Sequence, residues 1–146
     1  QGIHSASDGP WIPLRLGERR SKQTSYPWRD LIDSGAVLVN GTDVPVEPID
    51  PLASLYATVS RMTSQGKPFV PEQALTRVEA LASYTINSAY AAFEEDVKGS
   101  VTPGKWADLV VLSHDFYTVE TADIAKLQVE MTMVAGQIRY AREPST

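Results

Sequence analysis

The carboxylate of Asp43 is the group in this sequence best placed to do chemistry. It closes the run Ala36-Val37-Leu38-Val39-Asn40-Gly41-Thr42-Asp43. A carboxylate at the end of an apolar strand can ligate a metal ion or take the proton of an activated water. The same residues also suit a plain turn in which Asp43 caps the backbone beside Thr42. Glu47 follows in Pro45-Val46-Glu47-Pro48-Ile49-Asp50-Pro51. Three prolines stiffen that loop and could hold Glu47 at a pocket mouth, or simply lead rigidly into the next helix. The third candidate is His4 in His4-Ser5-Ala6-Ser7-Asp8-Gly9-Pro10-Trp11. An imidazole near an aspartate could bind metal, shuttle protons or hydrogen-bond a substrate, whereas a surface turn with a solvated histidine explains the same residues. Neither Ser5 nor Ser7 lies in a nucleophile-elbow pattern. Gly104-Lys105 lacks the Walker spacing and precedes a strand, which argues against a phosphate loop.

The elements that must position these groups follow from periodicity and punctuation. The apolar run over 36–43 is continuous, which predicts a strand buried on both faces, as in a parallel sheet covered by helices. Residues 1–30 are rich in turn formers and read as irregular, with Trp11 and Trp28 flanking a polar stretch. A short helix is expected over 28–34, ended by Gly35 at C′. Asp50 and Pro51 suit the N-cap and N1 positions of a helix that runs on to Gly66. Thr76-Arg77-Val78-Glu79 has capping-box form. A third helix is expected over 88–93 with Asn87 as N-cap. Beyond Lys98-Gly99 the pattern changes to a strand over 107–112, a helical turn over 121–126, and a hairpin of 129–134 with 138–141 through Ala135-Gly136-Gln137.

Composition narrows the function classes. The chain has 146 residues, 42% hydrophobic and 21% charged, which is typical of a soluble globular chain with a real core. A net charge of -5 without a basic run makes nucleic acid and anionic membranes poor partners. No stretch has the roughly 20 apolar residues of a membrane helix. Cysteine is absent, which rules out disulfides, thiolate metal sites and a Cys nucleophile, and fits a reducing, cytoplasmic setting. The opening Gln1-Gly2-Ile3-His4-Ser5 has no leader character and reads as a sequence entered in the middle.

Taken together, the motifs are familiar. Gly41-Thr42-Asp43-Val44-Pro45-Val46-Glu47-Pro48 resembles the Gly-Ser-Asp-x-Pro segment that ends the eighth barrel strand in the amidohydrolase superfamily. The run from Lys98 through Gly104-Lys105-Trp106-Ala107-Asp108 to Leu112 is similar to that family's C-terminal signature, and Val134-Ala135-Gly136-Gln137-Ile138 looks like its closing hairpin. Thr85-Ile86-Asn87-Ser88-Ala89 matches a helical element between them. The subgroup most resembled is the amidohydrolase-3 type, which includes N-substituted formamide deformylases.

The resemblance implies an α/β chain. Residues 1–98 would be the last strand or strands and helices of a (β/α)8 metal-dependent hydrolase barrel, and residues 99–146 part of a small β-sandwich. It implies hydrolysis of an amide-like C–N bond by a metal-activated water. Asp43 would be a metal ligand and general base, and His4 and Glu47 would meet a small-molecule amide-like substrate. The family's metal site, expected to hold zinc or another divalent ion, also needs a His-x-His pair and further histidines on earlier strands. This chain holds only His4 and His114, and His114 reads as a surface turn residue. A whole barrel also needs about 250 residues. The expectation is therefore a fragment, inactive alone, that binds no metal tightly and can self-associate through exposed surfaces. The alternatives are a non-catalytic binding or assembly module, and one subunit of a split hydrolase.

Overall fold

The computed structural model describes residues 1–143, so the last three residues of the expected β part lie outside the described residues. Helices dominate the first two thirds of the chain, and a three-stranded antiparallel sheet follows.

Residues 1–30 differ from the irregular segment expected. They form α1 (His4–Asp8), α2 (Ile12–Leu16) and α3 (Glu18–Thr24), and α4 (Trp28–Asp33) begins at their end. Each of these helices is one or two turns long and is held by tertiary contacts rather than by propensity. Ile12 packs with Phe69 and Val70, and the Asp30 N–H donates to Gln73 Oε1 at 3.2 Å. The end of α4 is as expected. Gly35, at φ +91°, donates to the Ile32 carbonyl, and Ala36 donates to Leu31. That pair of bonds is a Schellman closure, which needs a left-handed residue at C′.

The segment over 36–43 is extended but is not a strand, because no other strand lies beside it among the described residues to form a ladder. Its apolar residues alternate after all. Leu38 packs against the core, while Val37 and Val39 stand about half exposed (54% and 50%). The expected burial on both faces therefore fails: helices cover one face only. Side chains and irregular backbone bonds take up part of the missing ladder. The Asn87 amide donates to the Leu38 carbonyl at 2.9 Å, and the Asn40 N–H donates to the Ser83 carbonyl at 3.0 Å.

Helix α5 (Pro51–Ser60) starts as its sequence dictates, with the Asp50 side chain accepting from the Leu52 N–H and Pro51 in the first turn. It stops at Arg61, five residues before Gly66. Arg61 takes the left-handed conformation (φ +55°), and its guanidinium donates to the carbonyls of Phe69 and Tyr26. Gly66 instead serves a tight turn, φ +71°, that returns the chain through the Met62–Pro68 bridge. Helix α6 (Arg77–Tyr84) carries the full capping box of Thr76 and Glu79. Helix α7 spans Ile86–Ala91 with Thr85 at its N-cap. Asn87 is thus inside it, free to hold Leu38.

The sheet comprises β1 (Leu109–Leu112), β2 (Val129–Val134) and β3 (Gln137–Ala141) in that order. Ala135 and Gly136, both at positive φ, make the two-residue hairpin turn between β2 and β3. The main core gathers Leu52 and Leu55 from α5, Leu75, Ala80 from α6, and Phe116, Ile124 and Leu127 from the segment between β1 and β2. The second part of the chain therefore supplies core residues to the helices. Arg77 reinforces that junction by donating to the Phe116 carbonyl and to the Thr121 hydroxyl.

Candidate functional site

Helix α5 has two buried faces, and this decides how the candidate residues are arranged. Leu52 and Leu55 enter the apolar core, whereas Ser54 and Thr58, one turn apart, meet the start of the chain and the end of the extended segment. The Asn40 Oδ1 accepts the backbone N–H groups of Gly2 (2.8 Å) and Gly41 (2.9 Å), and its Nδ2 donates to Thr58 Oγ1 (3.1 Å). Ser54 Oγ accepts the Ile3 N–H at 3.2 Å, and Thr58 Oγ1 donates to the Ser54 carbonyl at 2.7 Å. These bonds clasp the backbone leading into His4 to the backbone leading into Asp43. The fit is close: a Cβ on Gly2 would stand 1.9 Å from Thr58 Oγ1 and 2.9 Å from the Ser54 carbonyl oxygen.

Asp43 lies exposed just past this clasp, at φ +57°, in a turn closed by the Val46 N–H donating to the Asp43 carbonyl at 2.8 Å. His4 opens α1 and is half-buried. Its Nε2 is shielded from solvent and has no hydrogen-bond partner among the described residues. Glu47 is half-buried in the proline-rich loop.

Among the described residues, no hydrogen bond links the side chains of His4, Asp43 and Glu47 to one another. The clasp joins the segments that carry His4 and Asp43, and Glu47 is not among its contacts. The Tyr26 phenol donates a short hydrogen bond to Asp8 Oδ2. Burial pushes its pKa up, and Asp8 and Glu47 push it further. Asp8, noted in the sequence as a possible partner of His4, is thus committed to Tyr26.

Behind Tyr26 lies Arg61, fully buried and without a salt bridge among the described residues. Its guanidinium carbon stands 4.3 Å from the Trp28 ring centroid and 5.6 Å from that of Phe69. Burial lowers its pKa to about 10. Sequence reasoning missed Asn40, Tyr26 and Arg61. A polar Asn inside an apolar run was the one signal that could have drawn notice. Nothing local marks the other two.

His114 is exposed after β1, with its Nδ1 3.2 Å from Ser113 Oγ, and forms no hydrogen bond with the candidate residues among the described residues. Lys105 of the Gly104-Lys105 turn donates to the backbone carbonyls of Glu95 and Lys98, which is a structural role. Among the described residues, no three His, Asp or Glu side chains form a group that could hold a metal ion. The donors present do not fit a complete metal centre: Asp43 is a single exposed carboxylate, and His4 Nε2 faces no second ligand.

Comparison with known proteins adds the family context. The model of the amidohydrolase family matches residues 1–140. The chain is 36% identical over 140 residues to YtcJ of Bacillus subtilis, covering 94% of this chain and 26% of that protein. It is 36% identical over 129 residues to the N-substituted formamide deformylase of Arthrobacter pascens, covering 88% and 24%. An uncharacterized metal-dependent hydrolase from Pyrococcus horikoshii superposes with a TM-score of 0.69 at 34% identity, over 82% of this chain and 25% of that one. The chain spans about a quarter of the length of the relatives it matches.

Proposed function

The chain belongs to the amidohydrolase family, and from that premise we propose that it is the C-terminal part of a metal-dependent hydrolase that cleaves an amide-like C–N bond with an activated water. The observation that carries this reading is the Asn40 clasp. It brings the segment ending in Asp43 beside the segment that opens with His4, and it leaves the Asp43 carboxylate open to solvent. In the full-length protein, Asp43 takes the proton of the attacking water. His4, at the start of α1, and Glu47, in the proline-rich loop, contact the substrate.

The extended segment over 36–43 supplies the last barrel strand, its uncovered Val37 and Val39 face turned to the rest of the barrel. Residues 99–146 form part of the β-sandwich, and residues 1–98 belong to the barrel. The metal, zinc in this proposal, is held chiefly by residues outside this chain, because the donors within it do not make a site. The enzyme works in the cytoplasm, and the isolated chain is inactive.

The test is Asp43→Asn in the full-length protein, assayed against N-substituted amides. Turnover should vanish with the fold intact. A change in kcat below about tenfold would remove Asp43 from acid–base duty.

A second reading, an assembly module or one subunit of a split hydrolase, is favoured by the row of exposed apolar residues Val37, Val39, Val44, Val46 and Ile49. It predicts that this chain self-associates, or restores activity when mixed with a partner carrying the histidines. Size-exclusion chromatography and a mixing assay separate these outcomes.

A further inference from the structure

Asn40 is followed by Gly41, and this pair carries a chemistry of its own. The main-chain nitrogen after an asparagine can attack the side-chain carboxamide carbon and close a cyclic imide. Glycine at the second position hinders that motion least, because it has no Cβ and turns freely. The chain holds two asparagines, Asn40 and Asn87, and only Asn40 precedes glycine. Asn87 lies inside α7 with Ser88 after it.

The clasp sets the parts of that reaction in place. The Gly41 nitrogen stands 2.9 Å from Asn40 Oδ1, so the nucleophile lies beside the carboxamide it would attack. The Gly2 N–H donates to the same oxygen at 2.8 Å. Negative charge gathers on that oxygen as the ring closes, and a fixed N–H there acts as an oxyanion donor. The Asn40 Nδ2, which would depart, donates to Thr58 Oγ1 at 3.1 Å, and this bond fixes the orientation of the carboxamide. Asn40 is only half-buried. A cleft of about 200 Å³ lined by Gly2, Asn40, Thr58 and Ser83 reaches it, with the exposed Leu31 and Val39 on the wall, so water has a path to the group.

We propose that Asn40-Gly41 is a self-modifying site, at which the folded chain converts asparagine to a mixture of aspartate and isoaspartate. Hydroxide takes the Gly41 amide proton, and the nitrogen forms a bond to Asn40 Cγ. The Cγ–Nδ2 bond then breaks, and Nδ2 takes a proton from water and leaves as ammonia. A second water opens the imide. Cleavage between the Gly41 nitrogen and Cγ leaves aspartate, and cleavage between that nitrogen and the former main-chain carbonyl carbon leaves isoaspartate. In balance, a water is consumed and an ammonia released, with no change of oxidation state. Neither product has a side-chain N–H to give Thr58 Oγ1, and isoaspartate adds a carbon to the main chain just before Asp43. The site stands apart from the hydrolase reading; only its effect on Asp43 as a catalytic group rests on that reading.

The experiment incubates the 146-residue chain at mildly alkaline pH, both folded and unfolded in urea. Tryptic peptides are followed by mass spectrometry, with chromatographic separation of the two acid products. Trypsin releases residues 30–61 and 78–98 as peptides that each hold one asparagine and no glutamine, so the two asparagines are read separately. Asn40 should convert at least as fast in the folded chain as in urea, and about tenfold or more faster than Asn87 in the folded chain. Gly41→Ala should fold, because an added Cβ there meets no atom within 4 Å. It should slow conversion about tenfold, since the Cβ restricts the turn that closes the ring.

Slower conversion of Asn40 in the folded chain than in urea would overturn the proposal, because the clasp would then protect the residue. So would equal rates at Asn40 and Asn87 in the folded chain, or an undiminished rate in folded Gly41→Ala. The comparison on the unaltered chain decides the matter even if Gly41→Ala fails to fold. None of these readouts uses turnover. The site can therefore fail while amide hydrolysis by the full-length protein stands, and it can stand in a protein that proves not to be a hydrolase.

Discussion

The side-chain oxygen of Asn40 accepts the backbone N–H of Gly2 at 2.8 Å across 38 residues of sequence. The same oxygen takes the N–H of Gly41, and the amide nitrogen reaches Thr58. One carboxamide thus satisfies backbone groups of two segments and a side chain of α5, in a place where a β-ladder would otherwise do so. His4 lies two residues beyond one contact, and Asp43 two residues beyond the other.

Breaking this clasp should loosen both segments at once. Asn40→Ala leaves the Gly2 and Gly41 N–H groups without their acceptor, and it is expected to destabilise the chain by about 1–3 kcal/mol. Amide hydrogen exchange at Gly2, Ile3 and Gly41 should rise together, while exchange in β2 and β3 stays unchanged. Gly2→Ala should act on the same amides through the overlap with Thr58 Oγ1. Thr58→Ala should relieve that effect only in part, because the Ser54 carbonyl remains 2.9 Å from the added Cβ.

Glu79 gives the chain an acid-sensitive tie. It accepts a forked pair of hydrogen bonds from Arg29 and completes the Thr76 capping box. The hydrogen bond from Arg29, and then those of Thr76, hold its pKa at about 2, below the ordinary 4.5. Because the folded value is depressed, the stabilisation is complete above about pH 4.5 and is lost as pH falls toward about 2. The pair is about a quarter exposed (side chains 26% and 27%). Allowing for solvent screening, the contribution is about 1–2 kcal/mol. Urea unfolding of the wild-type chain and Glu79→Gln at pH 6 and pH 3 should show the gap between them narrowing in acid. A gap independent of pH would refute the assignment.

Arg61 should prove structurally indispensable although no carboxylate among the described residues pairs with it. Its Nε donates to the Phe69 carbonyl at 2.9 Å and its Nη1 to the Tyr26 carbonyl at 3.3 Å, between two aromatic faces. Arg61→Met keeps much of the bulk but leaves the Phe69 carbonyl without its donor and the Tyr26 carbonyl with the Trp28 N–H alone. It is expected to lower stability by about 2–4 kcal/mol, measured by thermal or urea unfolding near neutral pH. The near-ultraviolet circular dichroism of Trp28 should change with it. A variant as stable as the wild type would show that the aromatic faces alone hold this corner.

The sequence by itself determined the local signals and the family. The Asp50-Pro51 start, the Thr76–Glu79 capping box and the Schellman closure at Gly35 stand where their residues put them, because each is settled within a few residues by donors, acceptors and φ preferences, while the expected three-residue hairpin loop is a two-residue turn with Gln137 already in β3. The ordered motifs likewise named the amidohydrolase family, which the match over residues 1–140 establishes. What only the tertiary structure decided depends on distant partners. Residues 1–30 became short helices because Ile12 found Phe69 and Val70, and α5 ended at Arg61 because the guanidinium found carbonyls at residues 26 and 69. The run over 36–43 has strand composition but no neighbouring strand among the described residues, so its hydrogen bonds went to Asn87 and Ser83 instead. Asp43 was legible as a carboxylate at the end of that run. Its link to the His4 segment was not, because it is made by Asn40, Ser54 and Thr58, residues whose small polar side chains gain meaning only when three separate parts of the chain meet.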